Sequence, residues 1–334
     1  MTLDVNGSVG FSTAVDPSGS VAIAWGLPPA ACCASSDGIA VATNAGGSFS
    51  ISTISTSDYS VGSIAVDGSG ILHIAAGMGQ APYGLAYLED NAGVVTETVV
   101  DSTSLYGPAS IGVTPSGQSR IAYPTSTGLS FASLSGGTWT TSEIWTGLAV
   151  GPRLSVDSAG IDHIVWATQD PNTGVPGGFL YATDGSGSWV VSQLSTSQYD
   201  ASPAIATDSL GVVHIVYVHT ATHHEALLEL RSSGTGWNSL ALIRGQVDVP
   251  EIAIGPNNSE HVAYELVATR SRGVGSLHYL TNASGHFVDV VADPLGSDNG
   301  PVALAVTPSG KAYITELIVG SCCPATGGLV VVHD

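Results

Sequence analysis

The sequence predicts an all-β fold, a seven-bladed β-propeller of four-stranded antiparallel blades. A pattern of strand, glycine turn and strand recurs seven times along the 334 residues, and its clearest copy is residues 155–166. Successive copies lie 43 to 52 residues apart. A period of this length in a strand-rich chain is typical of propellers, in which one repeat forms one blade. The turns are centred at Gly19, Gly70, Gly117, Gly160, Gly211, Asn258 and Gly310.

Each repeat contains the signals of four strands. In the fourth repeat, alternating apolar residues predict a first strand at 153–157, and the turn at 158–160 ends in a glycine that allows positive φ. Further strands are predicted at 163–167, 179–183 and 189–194. The repeats cover the whole chain, so we expect one domain over residues 1–334.

The two ends of the chain predict how the ring closes. The seventh repeat has only three strand signals before the sequence stops, whereas residues 2–5 stand where an outer strand precedes every other repeat. We therefore expect the N-terminal strand to complete the last blade and to leave no open sheet edge at that point.

Four histidines recur three residues after the turn centre, which favours a framework role over a shared site. Equivalent positions around a ring are too far apart to form one site. These histidines are His73, His163, His214 and His261.

The net charge of the chain argues against nucleic acids and anionic membranes as partners. The net charge is -20, from 27 acidic and 7 basic residues, and Lys311 is the only lysine. Nucleic acids and anionic membranes require a cationic surface, so neither is an expected partner.

No apolar run is long enough for a membrane helix, and residues 1–5 lack the pattern of a signal peptide. The lysine-poor, Ser/Thr-rich composition and the paired cysteines favour a mature extracellular or cell-surface protein over a cytosolic one.

Residues 63–75 carry a resemblance to a known class. They are similar to the repeats of bacterial seven-bladed propellers, which read Ser-Ile-Ala-Val-Asp-x-Ser-Gly-x-x-His-Ile-Ala-Tyr. That class includes fucose-type propeller lectins and propeller polysaccharide lyases such as ulvan lyases. The resemblance implies the fold but not the activity. A sialidase Asp-box is not met, because Ser186 stands where residues 183–189 would need glycine.

Functional residues are expected on the face that carries the variable connections, because binding residues concentrate on loops held by a rigid frame. Tyrosines in these connections could stack on sugars, and arginines could bind carboxylate or sulfate in a fork geometry. The expected ligand-binding residues are Tyr59, Tyr83, Tyr106, Tyr199, Arg270 and Arg272.

The segment 219–225 breaks the repeat with three histidines and a carboxylate. His219, His223, His224 and Glu225 could hold zinc or another divalent ion, although their spacing matches no established metal motif. Calcium on the acidic loops is a further possibility, without an ordered ligand spacing. A plain solvent-exposed loop remains the alternative, so no cofactor is certain.

Resemblance to propeller lyases implies a second role for this segment. A uronic-acid lyase needs a cation beside the substrate carboxylate and a base for the adjacent proton. Arg153 would supply the cation, and His219 or His223 would act with Tyr199 or Tyr217, although strand alternation favours a buried Tyr217.

Two cysteine pairs also break the repeat. Cys32 and Cys33 follow the first turn, and Cys322 and Cys323 follow the last turn at almost the same distance, in equivalent loops of neighbouring blades. Two disulfides between these loops would pin the ring closure, and in the chain-entropy model the first is worth about 4 to 5 kcal/mol. Vicinal disulfides and a four-thiolate metal site are the alternatives.

These observations predict an extracellular, lectin-like propeller that recognises a glycan through its variable loops. A lyase or hydrolase acting on an acidic polysaccharide is the first alternative. A structural or adhesive surface module is the second. The sequence does not indicate the oligomeric state.

Overall fold

The computed structural model describes residues 2–4, 9–27, 38–79, 83–103, 105–221, 223–234, 236–267, 275–294, 302–317 and 328–333. These residues form four-stranded antiparallel sheets, and a single 3-10 turn, Pro256–Asn258, is the only helical element in the described ranges. No helix in them is long and apolar enough to cross a membrane.

Six blades each consist of four strands that are consecutive in sequence and run from the innermost to the outermost position. Blade one contains β2 (Val9–Val15), β3 (Val21–Gly26), β4 (Ile39–Thr43) and β5 (Ser50–Ser55). Blade two contains β6 (Tyr59–Val66), β7 (Leu72–Met78), β8 (Gly84–Asn91) and β9 (Val94–Asp101). Blade three contains β10 (Ser110–Val113), β11 (Ser119–Pro124), β12 (Gly128–Ser135) and β13 (Thr138–Thr146). Blade four contains β14 (Leu148–Val156), β15 (Asp162–Gln169), β16 (Pro176–Thr183) and β17 (Val190–Ser195). Blade five contains β18 (Asp200–Thr207), β19 (Val213–His219), β20 (Ala226–Ser233) and β21 (Gly236–Arg244). Blade six contains β22 (Val247–Ile254), β23 (Glu260–Leu266), β24 (Ser276–Thr281) and β25 (Val288–Asp293).

The remaining sheet is smaller and composite, and we call it the closing sheet. It contains β26 (Val302–Val306), β27 (Ala312–Leu317) and β28 (Gly328–His333), and its outer strand is β1 (Thr2–Asp4) from the other end of the chain. Leu3 pairs with Leu329 in antiparallel register. The expected pairing of the N-terminal segment with the last strand is confirmed. The expectation of a seven-bladed ring is confirmed in part: the structure has six blades, and this smaller composite sheet takes the place of the seventh.

The turn between the first and second strands explains the recurring sequence pattern. In blade two, the Asp67 Oδ1 atom accepts hydrogen bonds from the backbone N–H groups of Ser69 and Ile71, at 2.8 and 2.9 Å. Gly70 then adopts φ +83°, in the left-handed region. Asn258 replaces glycine in blade six with φ 58°, which asparagine tolerates better than most residues.

The core lies between blades, because each sheet buries both faces against its neighbours. A typical interface joins Ile39 and Val41 of blade one to Ile74 and Leu88 of blade two. The closing sheet has such an interface on both sides: Ile314 packs with blade six residues, and Tyr313 packs with blade one residues.

Serine hydroxyls connect the innermost strands of neighbouring blades. The Ser63 Oγ atom accepts a hydrogen bond from the Ile111 N–H at 2.6 Å, and Ser110 Oγ accepts one from the Leu154 N–H at 3.0 Å. The innermost strands therefore surround a central channel at a fixed spacing.

Candidate functional site

A cavity of about 490 Å³ occupies one end of the central channel. Its walls come from the innermost strands of five blades and of the closing sheet, from Pro108 and Ala109 just before β10 of blade three, and from the adjoining ends of β15 and β16. This end is the loop face, which we define as the face where the innermost strands begin and where the second and third strands are joined. The cavity lies on the face where the sequence predicts functional residues, and that prediction stays a prediction.

Irregular backbone lines the cavity. Gly151 and Pro152 of β14 form a bulge that is not paired with β15. Equivalent bulges occur at Ser202 in β18 and at Val249 in β22. Ser202 has φ 51° and Val249 has φ 43°, which is a strained conformation for residues other than glycine, above all for a β-branched one. Bulges and strained residues concentrate at binding sites, where they redirect side chains and free backbone polar groups.

An ion pair spans the cavity wall between blades four and six. The Arg153 guanidinium lies 2.5 Å from a Glu251 carboxylate oxygen. The Arg153 side chain is 45% exposed and that of Glu251 is 17% exposed, so the arginine faces the cavity more openly. Burial raises the pKa of the Glu251 carboxyl group, and Arg153 opposes that shift.

A second polar group forms where β18 and β19 pair at the same end of the channel. The His219 Nδ1 atom lies 2.5 Å from Asp200 Oδ1, and the Ser195 hydroxyl donates to Asp200 Oδ2 at 2.6 Å. Asp200 lines the cavity, whereas His219 is not among the lining residues, and 26% of its side chain is exposed. Because Asp200 holds Nδ1, the Nε2 atom is the ring nitrogen left for a ligand or a proton.

Tyr199 lies beside this pair. Its ring is edge-on to His219, with 6.3 Å between ring centroids, and 45% of the residue is exposed. The structure thus brings Tyr199 and His219 together, and Asp200, the partner of His219, shares the cavity with Arg153.

The other residues of the histidine segment point elsewhere. His223 and His224 are exposed, and His223 adopts φ 68° in a turn. His219, His223, His224 and Glu225 do not form a cluster of metal-ligand atoms within 4.8 Å; within the described ranges only His214, Glu229 and Glu260 do. Metal binding by the histidine segment stays a prediction.

The expected sugar-stacking tyrosines divide into two groups. Tyr59 is only 8% exposed and its hydroxyl donates to Glu97 at 3.2 Å, so its assignment as a stacking residue is corrected: the ring packs in the core between blades one and two. Tyr83 and Tyr106 are 56% and 61% exposed, but neither lines the channel cavity. Tyr217 is buried, as strand alternation predicted.

Several predicted residues lie outside the described part of the chain. They are Arg270, Arg272, Cys32, Cys33, Cys322 and Cys323. The expected disulfides and arginine contacts stay predictions.

Sequence reasoning missed Glu251 as a partner of Arg153, Asp200 as a partner of His219, and the bulges themselves. The sequence did contain a signal: a proline recurs in the innermost strands, at Pro152, Pro203 and Pro250, and just before one of them, at Pro108. Proline cannot donate to a ladder and is confined to edges and bulges within sheets.

A shallower groove of about 590 Å³ adjoins the cavity over blade four. The two share Thr168, Gln169 and Pro176, and the groove continues to Trp145 and Gln193. A ligand longer than the channel cavity would therefore have a continuous path across this blade.

No family model and no curated protein matches the sequence. An ulvan lyase bound to -[GlcA(1-4)Rha3S]- has a similar structure at 10% identity, with 99% of this chain and 95% of that chain covered and a TM-score of 0.66. The Aleuria aurantia lectin in complex with Fucalpha1-6GlcNAc matches at 13% identity, over 89% and 99% of the two chains, with a TM-score of 0.53. A protein of unknown function from Dyadobacter fermentans matches at 11% identity, over 98% and 96%, with a TM-score of 0.57. At these identities the likeness concerns the fold, and the chain is an all-β propeller of four-stranded antiparallel blades.

Proposed function

We propose that the cavity at the loop face binds a saccharide and that the protein is a glycan-recognition propeller acting outside the cell. The observation that carries this proposal is the combination of Arg153, Glu251 and Asp200 on the wall of one cavity of about 490 Å³. Small-molecule sites are concave and largely apolar, with a few placed polar groups, and this volume lies in their usual range. Sugar-binding neighbours of the fold, the ulvan lyase and the Aleuria lectin, agree with a glycan as the partner class.

The charge of the cavity favours a neutral sugar. Glu251 already pairs with Arg153, so the guanidinium is compensated within the protein. Asp200 adds a second carboxylate to the wall. Carboxylates accept hydrogen bonds from sugar hydroxyl groups but repel an anionic ligand at close range. The net charge of -20 acts in the same direction on a polyanion.

A glycan array followed by calorimetry tests the proposal. We expect the array to select neutral saccharides. Against the strongest of these, Asp200→Asn and Glu251→Gln should each weaken binding at least tenfold. Glu143→Gln is the control, because Glu143 is exposed on the outer strand β13, away from the cavity. An array without any bound saccharide, or equal affinities for all variants, would contradict the proposal.

The arrangement of His219, Asp200 and Tyr199 favours a second candidate, a lyase acting on a uronic-acid polymer. In such a reaction His219 Nε2 would take the proton beside the uronate carboxylate. The electron pair of that C–H bond would form the C4–C5 double bond as the C4–O bond breaks, and Tyr199 would protonate the leaving oxygen. Arg153 would bind the carboxylate only after separation from Glu251.

Product absorbance separates the two candidates. Incubation with alginate, polygalacturonate and ulvan should give absorbance of an unsaturated uronate if the chain is a lyase, and His219→Ala should abolish it. A protein that binds neutral sugars and leaves all three polymers intact supports recognition without catalysis. A protein that does neither is the structural or adhesive module of the third hypothesis.

A further inference from the structure

A buried cluster of three potential metal ligands lies between blades five and six, and none of the three residues lines the cavity. His214 is in β19, Glu229 in β20 and Glu260 in β23, and they are 2%, 1% and 2% exposed. The His214 Nδ1 atom lies 2.9 Å from Glu229 Oε1 and 3.8 Å from Glu260 Oε1. Ligand atoms from all three residues lie within 4.8 Å of one another.

The repeat orients the His214 ring as it does the equivalent histidines of other blades, but the residue in contact with its Nδ1 atom is different. In blade four, His163 Nε2 faces the turn residue Asp157 at 3.6 Å, and its Nδ1 contacts the Tyr181 hydroxyl at 2.6 Å. Blade two has the same arrangement, in which His73 contacts Asp67 and the Tyr87 hydroxyl. In blade five, His214 Nε2 faces Asp208 at 3.7 Å in the same way. Its Nδ1, however, meets Glu229, which stands in place of the tyrosine.

The cluster contains polar atoms that the described residues leave without a hydrogen-bond partner. They include the second carboxylate oxygens of Glu229 and Glu260, and both are buried. Burying a carboxylate costs free energy unless a cation or hydrogen bonds compensate it. Two such groups at one blade interface, beside an imidazole, are a donor set suited to a divalent cation.

Arg231 supplies the present cationic compensation, beside a hydrogen bond that Asn282 Nδ2 donates to Glu260 Oε1 at 3.2 Å, and it marks a route to the site. Its guanidinium contacts Glu260, and its Nε lies 3.4 Å from Glu229 Oε1. The Arg231 side chain is 42% exposed, whereas the two glutamates are almost fully buried. The exposed part of Arg231 gives it an outward path, and its departure would leave two buried carboxylates for an incoming cation to compensate.

We propose that His214, Glu229 and Glu260 form a site for a divalent transition-metal ion, with Zn²⁺ and Mn²⁺ as the ions suited to it, and that the ion displaces Arg231. One imidazole nitrogen and two carboxylate oxygens match these ions better than the all-oxygen sets of calcium. Asp208, facing the other ring nitrogen, has the place of the carboxylate that commonly orients a metal-bound histidine. The ion would connect blades five and six, a role separate from glycan recognition.

Metal titration of the full chain tests the site. After treatment with a chelator and its removal, the protein is titrated separately with ZnCl2 and MnCl2. Bound metal is measured by atomic absorption after gel filtration, and melting is followed by calorimetry. We expect one ion per chain and a rise in the melting temperature with at least one of the two metals.

Two variants give opposite expected effects. Arg231→Gln removes the competing cation and should bind the ion at least tenfold more tightly. Glu229→Tyr restores the residue of blades two and four and should lose the ion while remaining folded; Glu229→Gln provides a second loss variant if the tyrosine does not fold. An Arg231→Gln protein that folds only with metal also supports the site.

Three results would overturn the proposal. The first is the absence of stoichiometric metal in both the wild type and Arg231→Gln. The second is full metal binding by Glu229→Tyr or Glu229→Gln, which would place the ion elsewhere, for example on the exposed histidine segment. The third is an Arg231→Gln protein that is destabilised and not rescued by either metal.

Discussion

The Thr13 hydroxyl oxygen lies 2.8 Å from the Thr315 hydroxyl oxygen, although the two residues are 302 positions apart in sequence. Thr13 is in β2 of blade one and Thr315 is in β27 of the closing sheet, and both side chains are buried. This hydrogen bond joins the first and last repeats. Together with the pairing of β1 and β28, it closes the ring without an open seam.

Deletion of residues 1–6 should lower the melting temperature markedly, because it removes β1 and exposes the edge of β28. Differential scanning calorimetry measures the effect. An unchanged melting temperature would contradict the role of β1 in closure.

The threonine pair gives a finer test of the same junction. Thr13→Val alone leaves the buried Thr315 hydroxyl with only its long 3.5 Å hydrogen bond to the Ala303 carbonyl oxygen and should cost about 1 kcal/mol. The double variant Thr13→Val/Thr315→Val should cost less than the sum of the single variants, because both single variants remove the same hydrogen bond. Additive losses in urea unfolding would show that the two hydroxyls do not interact.

The sequence was sufficient for the features that the repeat imposes. Gly70 and its equivalents placed the turns, and His73, His163, His214 and His261 are all buried at equivalent positions, too far apart to form one shared site. Strand β14 begins at Leu148 instead of 153, because Gly151 and Pro152 interrupt the ladder and hide its first part from the alternation pattern. The pairing of Arg153 with Glu251 joins blades two apart in the ring, and no local pattern reports such a contact.

Tyr59 and Tyr83 should respond differently to loss of the hydroxyl group. Tyr59→Phe removes the hydrogen bond to Glu97 from a buried side chain and should lower stability by about 1 kcal/mol. Tyr83→Phe changes an exposed side chain and should leave stability unaltered within about 0.5 kcal/mol. Urea unfolding of both variants measures this difference, and equal effects would contradict the burial of Tyr59.

The strained backbone at Ser202 predicts an order of stabilities. At φ 51° glycine is accommodated without strain, whereas a β-branched residue is not. We expect Ser202→Gly to be at least as stable as the wild type and Ser202→Val to lose about 1 to 3 kcal/mol. A valine variant as stable as the glycine variant would contradict the positive φ at this position.

Asp162 should make stability fall as pH rises towards neutrality. It is 1% exposed, and burial with repulsion from Asp184 raises its pKa to about 7, against the opposing effect of Arg120. The folded state therefore holds a proton that the unfolded state releases above its ordinary pKa of 3.8. This contribution to stability is present at low pH and is lost between about pH 4 and pH 7.

Asp162→Asn should remove this part of the pH dependence of stability. The melting temperature of the variant should therefore rise relative to that of the wild type as pH increases from 5 to 8. Asp170→Asn, in an exposed loop, is the control and should follow the wild type. Melting temperatures over this range measure the effect. A wild type and an Asp162→Asn variant with parallel pH profiles would contradict the raised pKa.

Binding of the array-selected saccharide to a protein with a blocked cavity tests the central claim most directly. Ser202 is exposed and lines the channel cavity, so Ser202→Trp would fill part of that space. Ser186→Trp places the same side chain in an exposed turn on the opposite face. Calorimetry should show at least a hundredfold loss of affinity for Ser202→Trp and wild-type affinity for Ser186→Trp. Wild-type affinity in a folded Ser202→Trp protein would contradict a glycan site at the mouth of the channel.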